Sequence, residues 1–398
     1  MSPDSGGPRP LELFLVAGES SGDEIGAGLI QALRAARPNI VLRGVGGPAM
    51  ETRGLASLFP MSDIAVMGFL PVIARLPTLL ARISATVEAV VARPPDALVI
   101  IDSPDFTHRV ARRVKKRLPA LPIIDYVSPT VWAWRPGRAK AMRAYIDHVL
   151  ALLPFEPAAH KRLGGPDCDY VGHPLIQRLD VLRPSAAEAL ARQDESAPTV
   201  LVLPGSRRFE IGYLMAPFGG AVEIVARAFP RADFVLPAVP HLAADIRARV
   251  AKWPVQPRVT TDEAEKFAAF RRARAALAAS GTVTLELALA DVPTVVGYRL
   301  SKIEEWILRR LVVAPSFILS NLVLGEIAIP GFIQEECNPE GLAASLLALL
   351  RDGPARDAQL AALARLDAIM RLPEGETPSG RAAKIVMARA ENARPVPA

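Results

Sequence analysis

Stretches of small, hydroxylated and charged residues recur in this chain where an apolar run gives way to a helical pattern. Ser280-Gly281-Thr282 follows the run Ala275 to Ala279, and Glu286 stands about one turn further on. A helix opening on Gly281, Thr282 and Thr284 leaves several backbone N–H groups pointing outward, a seat for a phosphate or diphosphate. Glu286 is then placed to accept hydrogen bonds from vicinal hydroxyls such as those of a ribose. The same residues also suit an ordinary helix cap, and this stretch alone leaves both readings open. Pro204-Gly205-Ser206-Arg207 repeats the pattern with a guanidinium, whose forked donors fit a diphosphate beside a helix N-terminus. Gly18-Glu19-Ser20-Ser21-Gly22-Asp23 is a third small-residue turn, flanked by two carboxylates. Asp102-Ser103-Pro104-Asp105 ends an apolar run, and ligands of open parallel sheets bind beyond such strand ends. Asp102 is there either as a reactive carboxylate or as a helix cap. The loop after Ser128 carries Trp132, Trp134, Arg135 and Arg138, flat faces and forked donors suited to a sugar or phosphate. His173, in Gly172-His173-Pro174, is either a turn residue or a functional imidazole.

Other chemistries are poorly supported. The turn at Gly18 lacks the Gly-Lys-Ser/Thr of a Walker loop and the GxGxxG of a dinucleotide site. The 5 histidines are scattered without metal-ligand spacing, so no metal site and no cofactor are predicted. Cys168 and Cys337 form no CxxC, and a reduced compartment without a disulfide is expected. Lys plus Arg is 47 against 41 Asp plus Glu, a net of +6, modest for 398 residues. No aromatic and basic residues alternate along a strand, so nucleic acid is not an expected partner. A mildly basic surface suits anionic substrates or an anionic membrane face. The polar N-terminus, Met1 to Pro10, has no apolar signal core, which argues for the cytoplasm.

The elements that must position these residues alternate as strand and helix. Strands are expected at Leu11 to Ala17, Ile40 to Val45, Ala97 to Ile101, Ile123 to Val127, His148 to Leu153 and Asp169 to Val171. After a polar, Ala-rich connector, Arg178 to Ala197, the alternation resumes at Val200 to Leu203, Asp233 to Leu236, Ala275 to Ala279 and Thr294 to Gly297. The fold class is therefore α/β, with two Rossmann-like parallel β/α domains sharing a cleft, 1–185 and 186–398, the second ending in an Ala/Leu-rich helical segment. Helices after Pro339 are expected to pack across the cleft or onto a partner chain. The apolar regions Ile64 to Leu80 and Trp306 to Leu324 are interrupted by Pro and Arg, too short for a membrane span. Each reads as a core helix or lid, or as a segment lying on a membrane surface.

Taken in order, Ala17-Gly-Glu-Ser-Ser-Gly-Asp23, Ile101-Asp-Ser-Pro-Asp-Phe106, Val127-Ser-Pro-Thr-Val-Trp-Ala-Trp-Arg135, Val171-Gly-His-Pro-Leu175, Leu203-Pro-Gly-Ser-Arg207 and Ser280-Gly-Thr282 with Leu285-Glu286 resemble the lipid-A-disaccharide synthases. The resemblance runs from Leu11 to about Pro339. It implies an inverting, metal-independent glycosyltransferase with two facing Rossmann-like domains, the GT-B architecture. The implied reaction moves 2,3-diacylglucosamine from its UDP donor to the 6-hydroxyl of 2,3-diacylglucosamine 1-phosphate. By the same resemblance, Gly205, Ser206, Arg207, Ser280, Gly281, Thr282, Glu286, Asn321 and Gln334 hold the donor. Ser20, Ser21, Asp23, Asp105, Trp132, Trp134, Arg135 and His173 serve the acceptor. Asp102 is the expected general base, with Glu19 second. Thr107 and Gly331 stand where the family pattern favours Asn and an acidic residue. Acylated substrates give Met67, Phe69 and Leu70 a purpose as membrane contacts, with the protein peripheral to an anionic inner-membrane surface and a homodimer as a candidate assembly. The rivals are a UDP-N-acetylglucosamine 2-epimerase, a peptidoglycan N-acetylglucosaminyltransferase, or a binder without catalysis. Asp102, Glu19 and Arg207 together argue against the last.

Overall fold

A computed structural model describes residues 9–64 and 75–393. The expected membrane contacts Met67, Phe69 and Leu70 lie outside the described residues. The chain divides into two compact units, 9–174 with 372–393 and Leu175–Arg371.

The first unit is built on a six-stranded parallel sheet, with β1 (Glu12–Ala17), β2 (Val41–Val45), β3 (Ala97–Ile101), β4 (Ile123–Tyr126), β5 (His148–Ala151) and β6 (Asp167–Tyr170). The order is β2-β1-β3-β4-β5-β6. Every residue of β1 and β3 is buried, as expected of strands covered by helices on both faces. The chain winds outward from β1 to β2 and then crosses back to β3 on the other flank of β1. The connections after β1 and β3 therefore leave in opposite directions, opening a crevice at their carboxyl ends.

The second unit repeats the plan with β7 (Thr199–Leu203), β8 (Asp233–Pro237), β9 (Arg258–Thr260), β10 (Ala273–Ala279), β11 (Thr294–Tyr298) and β12 (Gly331–Ile333), in the order β12-β11-β10-β7-β8-β9. Its reversal lies between β7 and β10. Strands β9 and β12 have 3 residues each, too short to show a period in sequence. The helix Arg208–Ala228 is, among the described residues, long and apolar enough to cross a bilayer by composition. Its Ile211, Leu214, Phe218, Val222 and Val225 are instead buried in the core of this sheet.

The division differs from the expected 1–185 and 186–398. The connector folds with the second unit: Ser185 and Glu188 form a capping box on the helix Ala186–Ala191, and Arg192 donates to the carbonyls of Phe270, Arg271 and Ala290. The last helix, Pro378–Asn392, belongs to the first. Its Ala382, Ala383, Val386 and Ala390 share a core with Leu29, Ile30 and Leu33 of the helix Ser20–Ala36. A stripe of small apolar residues needs a close-packed partner surface, and that helix supplies it.

Candidate functional site

In the first unit, Asp102 and Ser103 leave β3 in left-handed backbone conformations, φ +56° and +45°. Each such residue costs about 1–3 kcal/mol and persists only where its surroundings dictate it. Here Asp102 N donates to Tyr126 O at 3.0 Å, and the Thr107 hydroxyl donates to Asp102 O at 2.8 Å. Thr107 thus anchors the turn. The side chain is half-buried, with Oδ1 accepting from Ser103 N at 2.8 Å and Oδ2 from Ser21 Oγ at 2.6 Å. The turns after β1 and β3 are thereby joined through one hydroxyl–carboxylate bond.

The neighbouring carboxylates behave differently. Glu19 is half-buried at the N-cap of Ser20–Ala36, without capping the helix through its side chain. Ser20 and Asp105 are exposed in the first turns of their helices. Asp23, expected at the acceptor, is buried and accepts from Gly47 N at 2.8 Å, Ala49 N at 2.9 Å and Met50 N at 3.0 Å. It is a structural cap for the helix Pro48–Thr52, with its oxygens occupied by backbone donors.

The loop after β4 is also held internally. Trp132 Nε1 donates to Glu156 Oε1 at 3.0 Å, and its ring meets Phe155 edge-on at 5.0 Å. Trp134 Nε1 donates to Thr130 Oγ1 at 3.0 Å, and the Arg135 guanidinium lies 4.4 Å over its ring. Arg135 therefore covers one face of the expected sugar platform. Glu156, which the sequence reading does not single out, also accepts from Leu153 N at 2.9 Å. Burial pushes its carboxyl up to about 7, against the opposing pull of the Trp132 bond. His173 is half-buried, and desolvation pushes its imidazole down to about 4.

In the second unit a cavity of 420 Å³ opens at the carboxyl ends of β7, β8, β9 and β10. It is lined by Gly205, Ser206 and Arg207 on one side of the reversal and by Ser280, Gly281, Thr282 and Glu286 on the other. The expected donor turns therefore do come together. Their donors are arranged differently from the sequence expectation. Ser206 N and Arg207 N donate inward to Glu210 Oε2 at 2.8 and 3.1 Å, and Arg207 Nη1 reaches Glu210 Oε1 at 3.2 Å. The Arg207 side chain remains 56% exposed beside that pairing. Gly205 has φ +114°, and a Cβ there would lie 2.4 Å from Glu210 Oε2. The Ser280 hydroxyl donates to Phe317 O at 2.6 Å. Above Gly281 nothing lies within 4 Å of where a Cβ would stand, so the backbone is open to close approach. Thr282 caps Val283–Leu289 without a side-chain bond, and the first helical donors to find carbonyls are Thr284, Leu285 and Glu286.

Glu286 lines the cavity paired to Lys266, Nζ to Oε2 3.1 Å. Lys266, Glu210 and the β8 turn Pro237 to Pro240 are pocket residues the sequence reading missed; only the tertiary fold brings them to the Gly-rich turns. Asn321 and Gln334, expected at the donor, are engaged within the protein, Asn321 by backbone groups and Gln334 by the Leu300 backbone and the Glu305 carboxylate. Buried Asn321 donates to Ile329 O at 2.9 Å and accepts from Ala328 N and Ile329 N. Gln334, at φ +55°, accepts from Leu300 N at 2.8 Å. Neither lines the cavity. No group of three or more His, Cys, Asp or Glu among the described residues is placed to hold a metal ion.

A family model described as lipid-A-disaccharide synthetase matches residues 13–375. The chain belongs to the lipid-A-disaccharide synthase family. The lipid-A-disaccharide synthase of Nitrobacter hamburgensis is 56% identical over 376 residues, covering 94% of each chain. That of Rhodospirillum centenum is 43% identical over 385 residues, covering 95% of this chain and 94% of the relative. Among solved structures, the UDP-GlcNAc 2-epimerase of Neisseria meningitidis bound to UDP-GlcNAc superposes with a TM-score of 0.60 at 12% identity, over 96% of this chain and 100% of that one. MurG of Acinetobacter baumannii gives 0.57 at 13%, over 95% and 100%. These likenesses show the shared fold, the GT-B architecture of paired Rossmann-like sheets. As a lipid-A-disaccharide synthase the chain is a glycosyltransferase of lipid A biosynthesis, acting on a UDP-sugar donor and an acylated glucosamine 1-phosphate acceptor.

Proposed function

We propose that the β7/β10 cavity holds the UDP part of UDP-2,3-diacylglucosamine and that the β1/β3 crevice presents Asp102 to the acceptor, 2,3-diacylglucosamine 1-phosphate. The observation that carries this reading is the convergence of Arg207, Gly281, Thr282 and Glu286 on one cavity at a sheet reversal. In the donor, C1 of the sugar bears the diphosphate. The acceptor 6-hydroxyl attacks C1 from the opposite face, the C1–O bond breaks, and its electrons leave on UDP. Arg207 and the open N–H groups around Thr282 stabilise that charge without requiring a metal. Asp102 takes the hydroxyl proton through Oδ2, which Ser21 orients at 2.6 Å. Glu19 is the alternative base. The epimerase of this fold is bound to UDP-GlcNAc in its own structure, in keeping with a UDP-sugar as ligand.

Acylated substrates also motivate a peripheral position on the cytoplasmic face of an anionic inner membrane. Leu76 and Leu80, 43% and 39% exposed, continue the apolar stretch that contains Met67, Phe69 and Leu70. Met67→Asp with Phe69→Asp should abolish binding to anionic liposomes; unchanged binding would remove this assignment. A homodimer is tested on the same preparation by sedimentation equilibrium.

The deciding assay is UDP release from UDP-2,3-diacylglucosamine in detergent and EDTA, with and without acceptor. Acceptor-dependent release that survives EDTA supports the reading. Asp102→Asn should lower kcat at least about 100-fold with UDP affinity retained, and near-normal turnover would transfer the role to Glu19.

A further inference from the structure

Lys266 stands on the helix Glu263–Arg272, held at its start by Asp262, whose Oδ1 accepts from Glu265 N at 2.8 Å. Its Nζ lies 5.1 and 5.3 Å from the ring centroids of Phe267 and Phe270 and 3.1 Å from Glu286 Oε2. The side chains of Lys266 and Glu286 are only 29% and 16% exposed, unlike a solvated surface pair. A glutamate carboxyl turns broadly about its last torsion, so an isolated Glu286 would present either oxygen at varied angles. The charge-assisted bond removes that freedom. Oε1 accepts from nothing among the described residues, and Glu286 lines the same cavity as Gly281 and Thr282.

We infer that Lys266 is a positioning residue for sugar recognition in the donor nucleotide: by holding Oε2 it aims Oε1 at the ribose hydroxyls, and so sets the preference for ribo- over deoxyribonucleotides. This rests on the assignment of the cavity to UDP. A lysine that contributed only charge would strengthen binding of any nucleoside diphosphate equally; a lysine that aims the carboxylate acts through the hydroxyls alone.

Calorimetric titration of the full chain with UDP and with 2'-deoxy-UDP separates the two. The wild-type protein should favour UDP by at least about tenfold, the worth of one hydrogen bond to a charged group. Lys266→Met should remove most of that preference, and Lys266→Arg, which keeps a charged donor, should restore it. Glu286→Gln should also remove it, and adding Lys266→Met to that variant should change little, as expected of residues acting through one group. Equal weakening of both ligands by Lys266→Met, or an unchanged preference in a variant with wild-type melting, overturns the inference. Wild-type binding of UDP without any preference would overturn the ribose contact itself, and no binding of either ligand would overturn the cavity assignment.

Discussion

The substitution Glu156→Gln should reverse the relative stability of variant and wild type across neutral pH. The Glu156 carboxyl is fully buried beneath the Trp132 loop, and burial raises its pKa from 4.5 to about 7. The folded chain therefore holds this proton more tightly than the unfolded chain. Stability from this group is complete below pH 4.5 and falls as pH rises through 7, where the folded carboxyl must ionise. The span of about 2.5 pH units at about 1.4 kcal/mol per unit gives a loss of roughly 3 kcal/mol. The amide of the variant has no proton to lose. Unlike the neutral acid, whose hydroxyl oxygen still accepts, the amide that accepts from Trp132 sets a donor against Leu153 N–H, a pH-independent penalty of about 1–3 kcal/mol. The variant should thus be equal or weaker at pH 4.5 and gain about 3 kcal/mol on the wild type by pH 7.5. Unfolding of the two proteins side by side at several pH values isolates this group, because the other titrations cancel in the difference. A difference constant to within about 0.5 kcal/mol across that range would refute the argument that desolvation outweighs the hydrogen bonds at Glu156.

His173 should show the opposite slope. Its folded pKa of about 4 lies below the ordinary 6.5, so its contribution is complete above pH 6.5 and about 3 kcal/mol is lost as pH falls toward 4; His173→Gln should gain on the wild type on acidification, read by the same unfolding series. Gly205→Ala should destabilise by about 2–3 kcal/mol and weaken UDP binding, since its Cβ would displace the Glu210 carboxylate and with it Arg207; thermal melting with calorimetry reads both effects. Asn321→Ala should lower stability by about 2–3 kcal/mol, because it strands the Ala328 and Ile329 donors and the Ile329 carbonyl. UDP affinity of the folded variant should change little, whereas loss of affinity without loss of stability would return Asn321 to the donor site.

The parallel sheets were legible because their strands are unbroken apolar runs ending in turn residues. Ala97–Ile101 falls where the pattern puts its ends. Boundaries slipped where side chains override pattern. Gly18 to Asp23 reads as a turn in the sequence, yet the first helix begins at Ser20, so Ser20, Ser21 and Asp23 lie within its opening turns. Nor did sequence show that the last helix returns to the first unit. A stripe of alanines and one valine looks the same whichever core it fills, and only the surface of Ser20–Ala36 decides.

The carboxylates show why the site was harder to read than the fold. Asp23, Glu210, Asp102 and Glu286 all stand at or just inside a turn after a strand, and their spacing alone does not say which of them is free to meet a ligand. What separates them is how many protein donors each receives. Asp23 accepts from three backbone N–H groups, and Glu210 from two plus the Arg207 guanidinium. A carboxylate so enclosed cannot turn toward a substrate without stranding buried donors. Asp102 receives one backbone donor and one mobile hydroxyl, and Glu286 a single ammonium. These two keep capacity for a further donor, as the roles proposed for them require. The proposed chemistry therefore falls to the carboxylates the backbone leaves unsaturated, a property of three-dimensional donor supply that no spacing of residues encodes.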